Sequence, residues 1–389
     1  AGLANLIGAA NVYLGCDAGR YTTGDFNSFL GRCAGRRITT GCGNVAIGAC
    51  ALSGCTSSFS TGQDNNALGR TAGRCNINGQ GNNFFGASAG DRNTAGNHNS
   101  FLGQHAGFGN TDGSNNFFAG RYAGFANTSG AHNVIIGCSA GICMSNGQNN
   151  IFMGRCAGCC NTVGSNNIYM GATAGCCGTS ARHNIMFGAY SGRFMQTGCC
   201  NISMGRIAGC DITTGCNNIF IGECAGCLIT GGCENIVIGP NNNVSGENVN
   251  NQVHIDSGVN IASFCGSETA WTFVSDSRDK QNISDLNIGK DFLGQLRPRN
   301  FEWNFRHTAV GAGQTAAGFI AQEVKEVVDA NPGSEYLGVV KTDDPELYKV
   351  ASGALVPVLV KAVQELSQEN AALAAMIMQL QNRVTALEG

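Results

Sequence analysis

The residues with the most chemistry to offer are sulfur and imidazole. The chain holds 21 cysteines in 389 positions. In a small secreted domain so many thiols would imply a disulfide framework. Two pairs, Cys156 with Cys159 and Cys224 with Cys227, also have the C-x-x-C spacing of zinc sites. A structural zinc needs four converging ligands, and each of these pairs encloses an Ala-Gly that recurs throughout the sequence for another reason. His98, His132 and His183 each stand directly before an asparagine. They are too far apart along one chain to share an ion, although a three-fold axis could bring copies of one of them together. Glycoside cleavage needs paired carboxylates, and Asp and Glu are sparse before residue 245. No metal, cofactor or hydrolytic centre is expected in the first 239 residues.

The elements that position these residues form a repeat. With Asn as position zero, the unit reads Asn, three mostly apolar residues, Gly, two variable residues, Ala-Gly, three variable residues, T-x-G-x, and Asn again. Asn150, Asn167, Asn184, Asn201, Asn218 and Asn235 lie 17 apart, and the register runs back through Asn133, Asn116, Asn99, Asn82 and Asn65. A four-residue insertion separates Asn65 from Asn44, and Asn27 and Asn11 complete 14 units ending near Gly239. Ala1-Gly2 falls in register, so the array is expected to continue upstream.

Segments such as Ile151-Phe152-Met153 and Ile219-Phe220-Ile221 are short and rich in β-formers. The glycine closing each permits a tight bend. A strand this short cannot bury itself, so neighbouring units must stack into a β-solenoid. Fourteen strands spaced about 4.8 Å apart give a shaft on the order of 65 Å long. The cysteines then become repeat-position residues. Most are expected to fill a small, semi-apolar slot. Rung spacing permits a few bridges, and widespread thiols suit folding in a reducing cytoplasm. The recurrent Asn is expected to be structural, either hydrogen-bonding from rung to rung or holding its own turn.

Positions one and three after the Asn share a strand face and position two points the other way. Positions one and three are usually apolar and are expected to face the core. Position two is often aromatic or apolar as well: Tyr13, Phe29, Phe84, Phe101, Phe118, Ile135, Phe152, Tyr169 and Phe220. A second apolar face repeated up a shaft implies a partner surface. Identical chains in register supply one economically, and a homotrimer is expected.

Composition excludes several classes. Gly is frequent, at 58 residues, but Pro is scarce, at 5, and no G-x-y period is present, so the chain is not collagen. A net charge of −3 gives no reason to expect nucleic acid or an anionic membrane surface. No apolar run is long enough to span a membrane, so membrane insertion is not expected.

Four segments are expected: the shaft over residues 1–239, a β-rich junction over 240–274, an α+β domain over 275–354, and a helix over 355–389. In the junction Val253, His254 and Ile255, and the stretch 270–274, are strand-like. Helical periodicity appears in 320–328. The last segment carries heptads, with Val363, Asn370, Ile377 and Val384 at position a and Leu366, Leu373, Leu380 and Leu387 at position d. Pro357 marks its start. β-branched a residues, Leu at d and one Asn at a favour two strands, which conflicts with the trimer. Short heptads appended to larger folds yield to their context, and the trimer is retained.

Four motifs in order carry a resemblance. They are Ser275-Asp276-Ser277-Arg278-Asp279-Lys280 with Asn282-Ile283, then Phe301-Glu302-Trp303, then Gly318-Phe319-Ile320-Ala321-Gln322-Glu323-Val324, and the Leu355-Val356-Pro357 stretch running to Ala362. Together they resemble the intramolecular chaperone auto-processing domain that caps endosialidase-type tail spikes and L-shaped phage tail fibres. The shaft is similar to phage fibre and adhesin repeats more loosely. The resemblance implies that the C-terminal domain trimerises, templates the shaft, and releases itself by cutting between Val274 and Ser275. Ser275 is then the nucleophile and Lys280 its base, with Asp276 in support. A lysine made neutral by burial can accept the hydroxyl proton, and covalent proximity sets the hydroxyl against the preceding carbonyl.

The implied protein is an adhesive, trimeric fibre of a phage virion. It is assembled in the host cytoplasm, binds a host receptor that is expected to be a glycan, and meets other tail proteins through a missing N-terminal part. A cellular surface adhesin with the same shaft, or a spike whose glycan-degrading domain lies upstream, are the alternatives.

Overall fold

In a computed structural model that describes residues 2, 7–55, 59–243, 246–256, 261–265, 272–273, 277, 280–302, 315–341 and 348–388, the repeats wind into a parallel β-solenoid. The chain divides into two compact units, Ala1–Ser275 and Asp276–Gly389. In the first, fourteen three-residue strands run from β1 (Val12–Leu14) to β14 (Ile236–Ile238). Each pairs in parallel with the strand one repeat on, so that like residues lie over like: Ile168 over Ile151, Tyr169 over Phe152 and Met170 over Met153. The rest of each turn continues the ladder, as where Gly158 N–H donates to Ala174 O at 2.9 Å and Cys156 N–H to Cys138 O at 3.0 Å. The helical end of the fold class is also present, in a C-terminal helix of 33 residues.

The expected inward face is reversed. Position two, not positions one and three, fills the interior: Phe29, Phe84, Phe101, Phe118, Ile135, Phe152, Tyr169 and Phe220 are buried. Their rings stack up the axis, with centroids 4.9 Å apart for both Phe101–Phe118 and Phe152–Tyr169. The aromatic column is therefore the solenoid's own core and not a partner surface. The reason is volume. In most rungs the closed turn encloses a large side chain at position two, Ala46, Ala67 and Ser203 being the small exceptions, and the alanine of Ala-Gly, such as Ala157 or Ala174, fills a slot beside it with no exposure. Positions one and three then point outward.

The repeat asparagines are buried beside that column. Asn218 shows the pattern. Its backbone N–H and its Nδ2 both donate to Asn201 Oδ1, at 3.0 and 2.9 Å, and Nδ2 also donates to Gly232 O at 2.8 Å. Its own Oδ1 accepts from Asn235 N–H and Nδ2, both at 3.0 Å. The same rung-to-rung bonds join Asn133, Asn150, Asn167, Asn184 and Asn201. A second buried column links Asn76, Asn93, Asn110 and Asn127 through side-chain bonds of 2.6–2.7 Å. Beyond Asn127 the column is mostly apolar, with Met144, Met195, Ile212 and Ile229, although Asn161 is buried within it.

Two glycines per unit are required by contact. Gly154, closing β9 (Ile151–Met153), has φ +134°, and a Cβ there would sit 2.5 Å from Gly171 O. Gly158 has φ +57°, and a Cβ would meet the Phe152 ring at 2.7 Å. Gly154→Ala combines a disfavoured φ with a backbone clash, so it is expected to cost at least about 2 kcal/mol. A urea midpoint lowered accordingly checks this.

The insertion before Asn65 is accommodated by burying Leu52 and bridging Cys55 to Cys75. Stacking does not stop at Gly239. One more parallel rung, β15 (Gln252–Asp256), sets Val253 beside Ile236. Gln252 stands 17 residues after Asn235, and its N–H donates to Asn235 Oδ1 at 3.1 Å. Beyond it β16 (Ile261–Cys265) and β17 (Thr272–Phe273) pair antiparallel.

In the second unit, β18 (Arg299–Glu302) pairs antiparallel with β19 (Thr315–Gly318). Around them are α1 (Lys290–Leu293), α2 (Ala321–Ala330) and α3 (Val356–Glu388). Phe292, Leu296, Val324, Val339, Leu355 and Val358 form the core. Arg299 on β18 grips Glu323 on α2 through two hydrogen bonds, at 3.0 and 2.8 Å. That guanidinium holds the Glu323 carboxyl below its ordinary range. Lys290 ties α1 to α3, its N–H donating to Glu365 at 2.8 Å and its ammonium pairing with Glu369.

Candidate functional site

The boundary between the two units falls between Ser275 and Asp276. Val274, Ser275 and Asp276 lie outside the described residues. Lys280 lies inside them. Its backbone N–H donates to Ser277 O at 3.2 Å, forming one tight turn, and its side chain is exposed.

The outward face of the shaft is the second feature. Over the seven strands from β8 (Val134–Ile136) to β14, position one is Val134, Ile151, Ile168, Ile185, Ile202, Ile219 and Ile236. Position three is Ile136, Met153, Met170, Phe187, Met204, Ile221 and Ile238. None carries a charge, and Phe187, the most open, is 51% exposed. Ile185, Phe187, Met204 and Ile221 are its exposed members, and contiguous exposed apolar residues mark interaction surfaces. Sequence reasoning saw two apolar faces and took the wrong one for the outside. The available signal was the polar residues at position one, Ser28, Asn66, Asn83 and Ser100, which an interior of large aromatic rings would not admit in succession.

The third feature was missed in the sequence. His105 stacks on Tyr122 at 5.2 Å, Phe108 stacks on Phe125 at 5.1 Å, and Tyr122 meets Phe125 edge-on. Arg92 lies 4.9 Å over Phe108, and Arg121 lies 4.8 Å over Tyr122. These residues form a partly exposed aromatic platform flanked by cations on neighbouring rungs. The signal was present as aromatic residues 17 apart at two positions flanking Ala-Gly.

The histidine column has a backbone explanation. His98, His132 and His183 have φ of 55°, 60° and 57°. That is the left-handed region, which tolerates Asn, Asp and His best, and Asn115, Asn149, Asn166 and Asn217 hold the same position. Among the described residues no three His, Cys, Asp or Glu side chains converge as a metal site would require. No helix among them is long and apolar enough to cross a membrane.

In the second unit, α3 buries Val358 and Ala362 in its own core and leaves the heptad residues open. Leu366, Leu373, Ile377, Leu380 and Val384 are each about half exposed or more. Leu359, one heptad before Leu366, also lines an apolar cleft of about 370 Å³ with Leu293, Pro298 and Phe319.

Residues 275–331 match the family described as chaperone of endosialidase. The match takes in the Ser275–Ile283 motif, Phe301-Glu302-Trp303 and the Gly318 to Val324 block, and it bears out the resemblance read from them. No curated protein and no solved structure matches the chain.

Proposed function

We propose that this chain is the structural and adhesive fibre of a phage tail. It works as a homotrimer, its C-terminal domain serves as an intramolecular chaperone, and that domain leaves by cleavage between Val274 and Ser275. The observation that carries the reading is the chaperone-of-endosialidase match beginning at residue 275, where the solenoid unit ends. The apolar stripe along the shaft and the open heptad seam on α3 support self-association, since identical chains cover both with matching ladders.

In the cleavage step, the Ser275 hydroxyl attacks the Val274 carbonyl while Lys280 takes the proton. The Val274–Ser275 C–N bond then breaks. The Ser275 nitrogen takes the proton from Lys280 and leaves as the amine, and the Val274 acyl group stays on the Ser275 oxygen as an ester. Water hydrolyses that ester to the Val274 carboxylate and the free hydroxyl, with Asp276 in support. In this reading the base is completed in the assembled trimer, and cutting follows assembly. The fibre is built in the host cytoplasm, joins the virion through other tail proteins, and binds a host surface glycan. The platform of His105, Phe108, Tyr122 and Phe125 is the contact offered, because flat sugar faces stack on rings and Arg92 and Arg121 supply donors.

Sedimentation of the uncleavable Ser275→Ala chain tests the assembly. The expected mass is three times the 40.2 kDa chain, and a monomer or dimer would contradict the reading. Phe187→Glu combined with Ile221→Glu places charges on the outward face, where each buried, unpaired carboxylate costs about 3–5 kcal/mol in a trimer. The mass of the shaft is expected to fall to that of a single chain while its β circular dichroism persists.

A further inference from the structure

Cys199 and Cys216 occupy the same position in successive turns, two residues before Asn201 and Asn218. Their sulfurs are 2.8 Å apart, and both side chains are partly exposed. Cys159 and Cys176 form a second such pair, at 3.6 Å. The fold already holds a bridge of this kind, between Cys55 and Cys75 on neighbouring turns, with Cα atoms 4.8 Å apart. That separation is the ordinary strand spacing and lies inside the range a disulfide accepts. The structure assigns Cys199–Cys216 and Cys159–Cys176 as sites of disulfide modification that staple adjacent rungs once the folded shaft meets a small-molecule disulfide.

The reaction is thiol–disulfide exchange. One cysteine thiolate attacks a sulfur of the small disulfide and expels one small thiolate. The facing cysteine, as its thiolate, then attacks the mixed disulfide and expels the second. Two protein thiols are oxidised, one small disulfide is reduced to two thiols, and the protons released by the protein are taken up by the leaving thiolates or by solvent. In the second pair, Cys159 Sγ–H donates to Cys176 and Arg193 lies nearby, which lowers the Cys176 pKa to about 6 and supplies the attacking thiolate. Cys233 follows Cys216 in the same column, and each sulfur accepts the backbone N–H of the preceding cysteine at 3.2 Å, so the backbone bonds do not choose between them. The 2.8 Å sulfur contact does: it joins Cys216 to Cys199, while the Cys233 sulfur turns to Gly231 O, so Cys199 is the partner and Cys233 stays a thiol. Each turn of a solenoid is held only by its neighbours, so a bridge between neighbours resists the opening of the shaft locally. The staples do not depend on the number of chains in the fibre.

The test uses the full chain, purified reduced, freed of reductant and incubated with oxidised glutathione. Remaining thiols are alkylated and the peptides mapped without reduction. The expected map shows Cys199 linked to Cys216 and Cys159 linked to Cys176, Cys233 alkylated, and a higher thermal midpoint than the reduced protein. In Cys216→Ser the first link disappears and the second persists. Recovery of Cys199 and Cys216 as alkylated or glutathione-capped thiols from folded protein would overturn the proposal, as would links that join non-neighbouring turns.

Discussion

Asn218→Ala is expected to break the shaft's unfolding into two transitions, whereas Asn217→Gly beside it leaves the unfolding curve in place. The two residues are adjacent and chemically identical, but only Asn218 is buried. Removing its amide orphans Gly232 O and two donors of Asn235, its N–H and an Nδ2 hydrogen. Each stranded buried group costs about 1–3 kcal/mol, so the loss from the three is about 3–9 kcal/mol. A solenoid has no distant contacts to make up the difference, so the turns on either side of Asn218 are expected to uncouple. Asn217 has φ +59°, a conformation glycine adopts freely. Its backbone N–H, which donates to Cys199 O at 3.0 Å, is unchanged by the substitution. The shift for Asn217→Gly is therefore expected to stay within about 0.5 kcal/mol. Urea unfolding, with hydrogen exchange at the Asn235 amide, separates the two outcomes.

The contrast between those two asparagines also marks how far the sequence can be read. A 17-residue period over fourteen turns is a strong signal, because stacked identical turns are the economical way to bury strands of three residues. The strand positions and the parallel register follow from it directly. Which side of each strand faces inward does not follow, because both sides are apolar. Counting apolar positions favoured the side with two, but Phe152 and Tyr169 need more volume than Ile151 and Met153, and the closed turn encloses the larger ring. The extra rung at Gln252 was hidden by a change of residue type, since a backbone N–H donated to Asn235 Oδ1 needs no particular side chain on the donating residue. The platform at His105 and Tyr122 was hidden because its members are recognisable only once two turns are laid over each other.

The C-terminal unit was legible for a different reason. Its ordered motifs, Ser275 to Ile283 and Gly318 to Val324, sit within the stretch that matches the chaperone family. Val324 is a core residue and Glu323 clamps Arg299 on β18, so part of that block is explained by packing and pairing alone. The heptads likewise predict a long helix, and α3 supplies it with its a and d residues uncovered.

The largest functional effect is expected at Ser275. A hydroxyl is the only nucleophile the proposed step has, and alanine removes it without altering the shaft's ladders or the core of the second unit. Lys280→Ala leaves the nucleophile but removes its base. General-base removal typically costs a factor of about 100 to 10,000 in rate, so the fragment is expected to appear far more slowly in that variant. Folding assistance does not require the cut, so both variants are expected to assemble.

The most direct measurement is denaturing electrophoresis of the unsubstituted chain beside Ser275→Ala. The account predicts two bands from the first, a shaft ending at Val274 and a fragment of residues 275–389 whose mass spectrum begins at Ser275. It predicts one full-length band from Ser275→Ala. A single full-length band from both, or the same two bands from both, would contradict self-cleavage at Ser275.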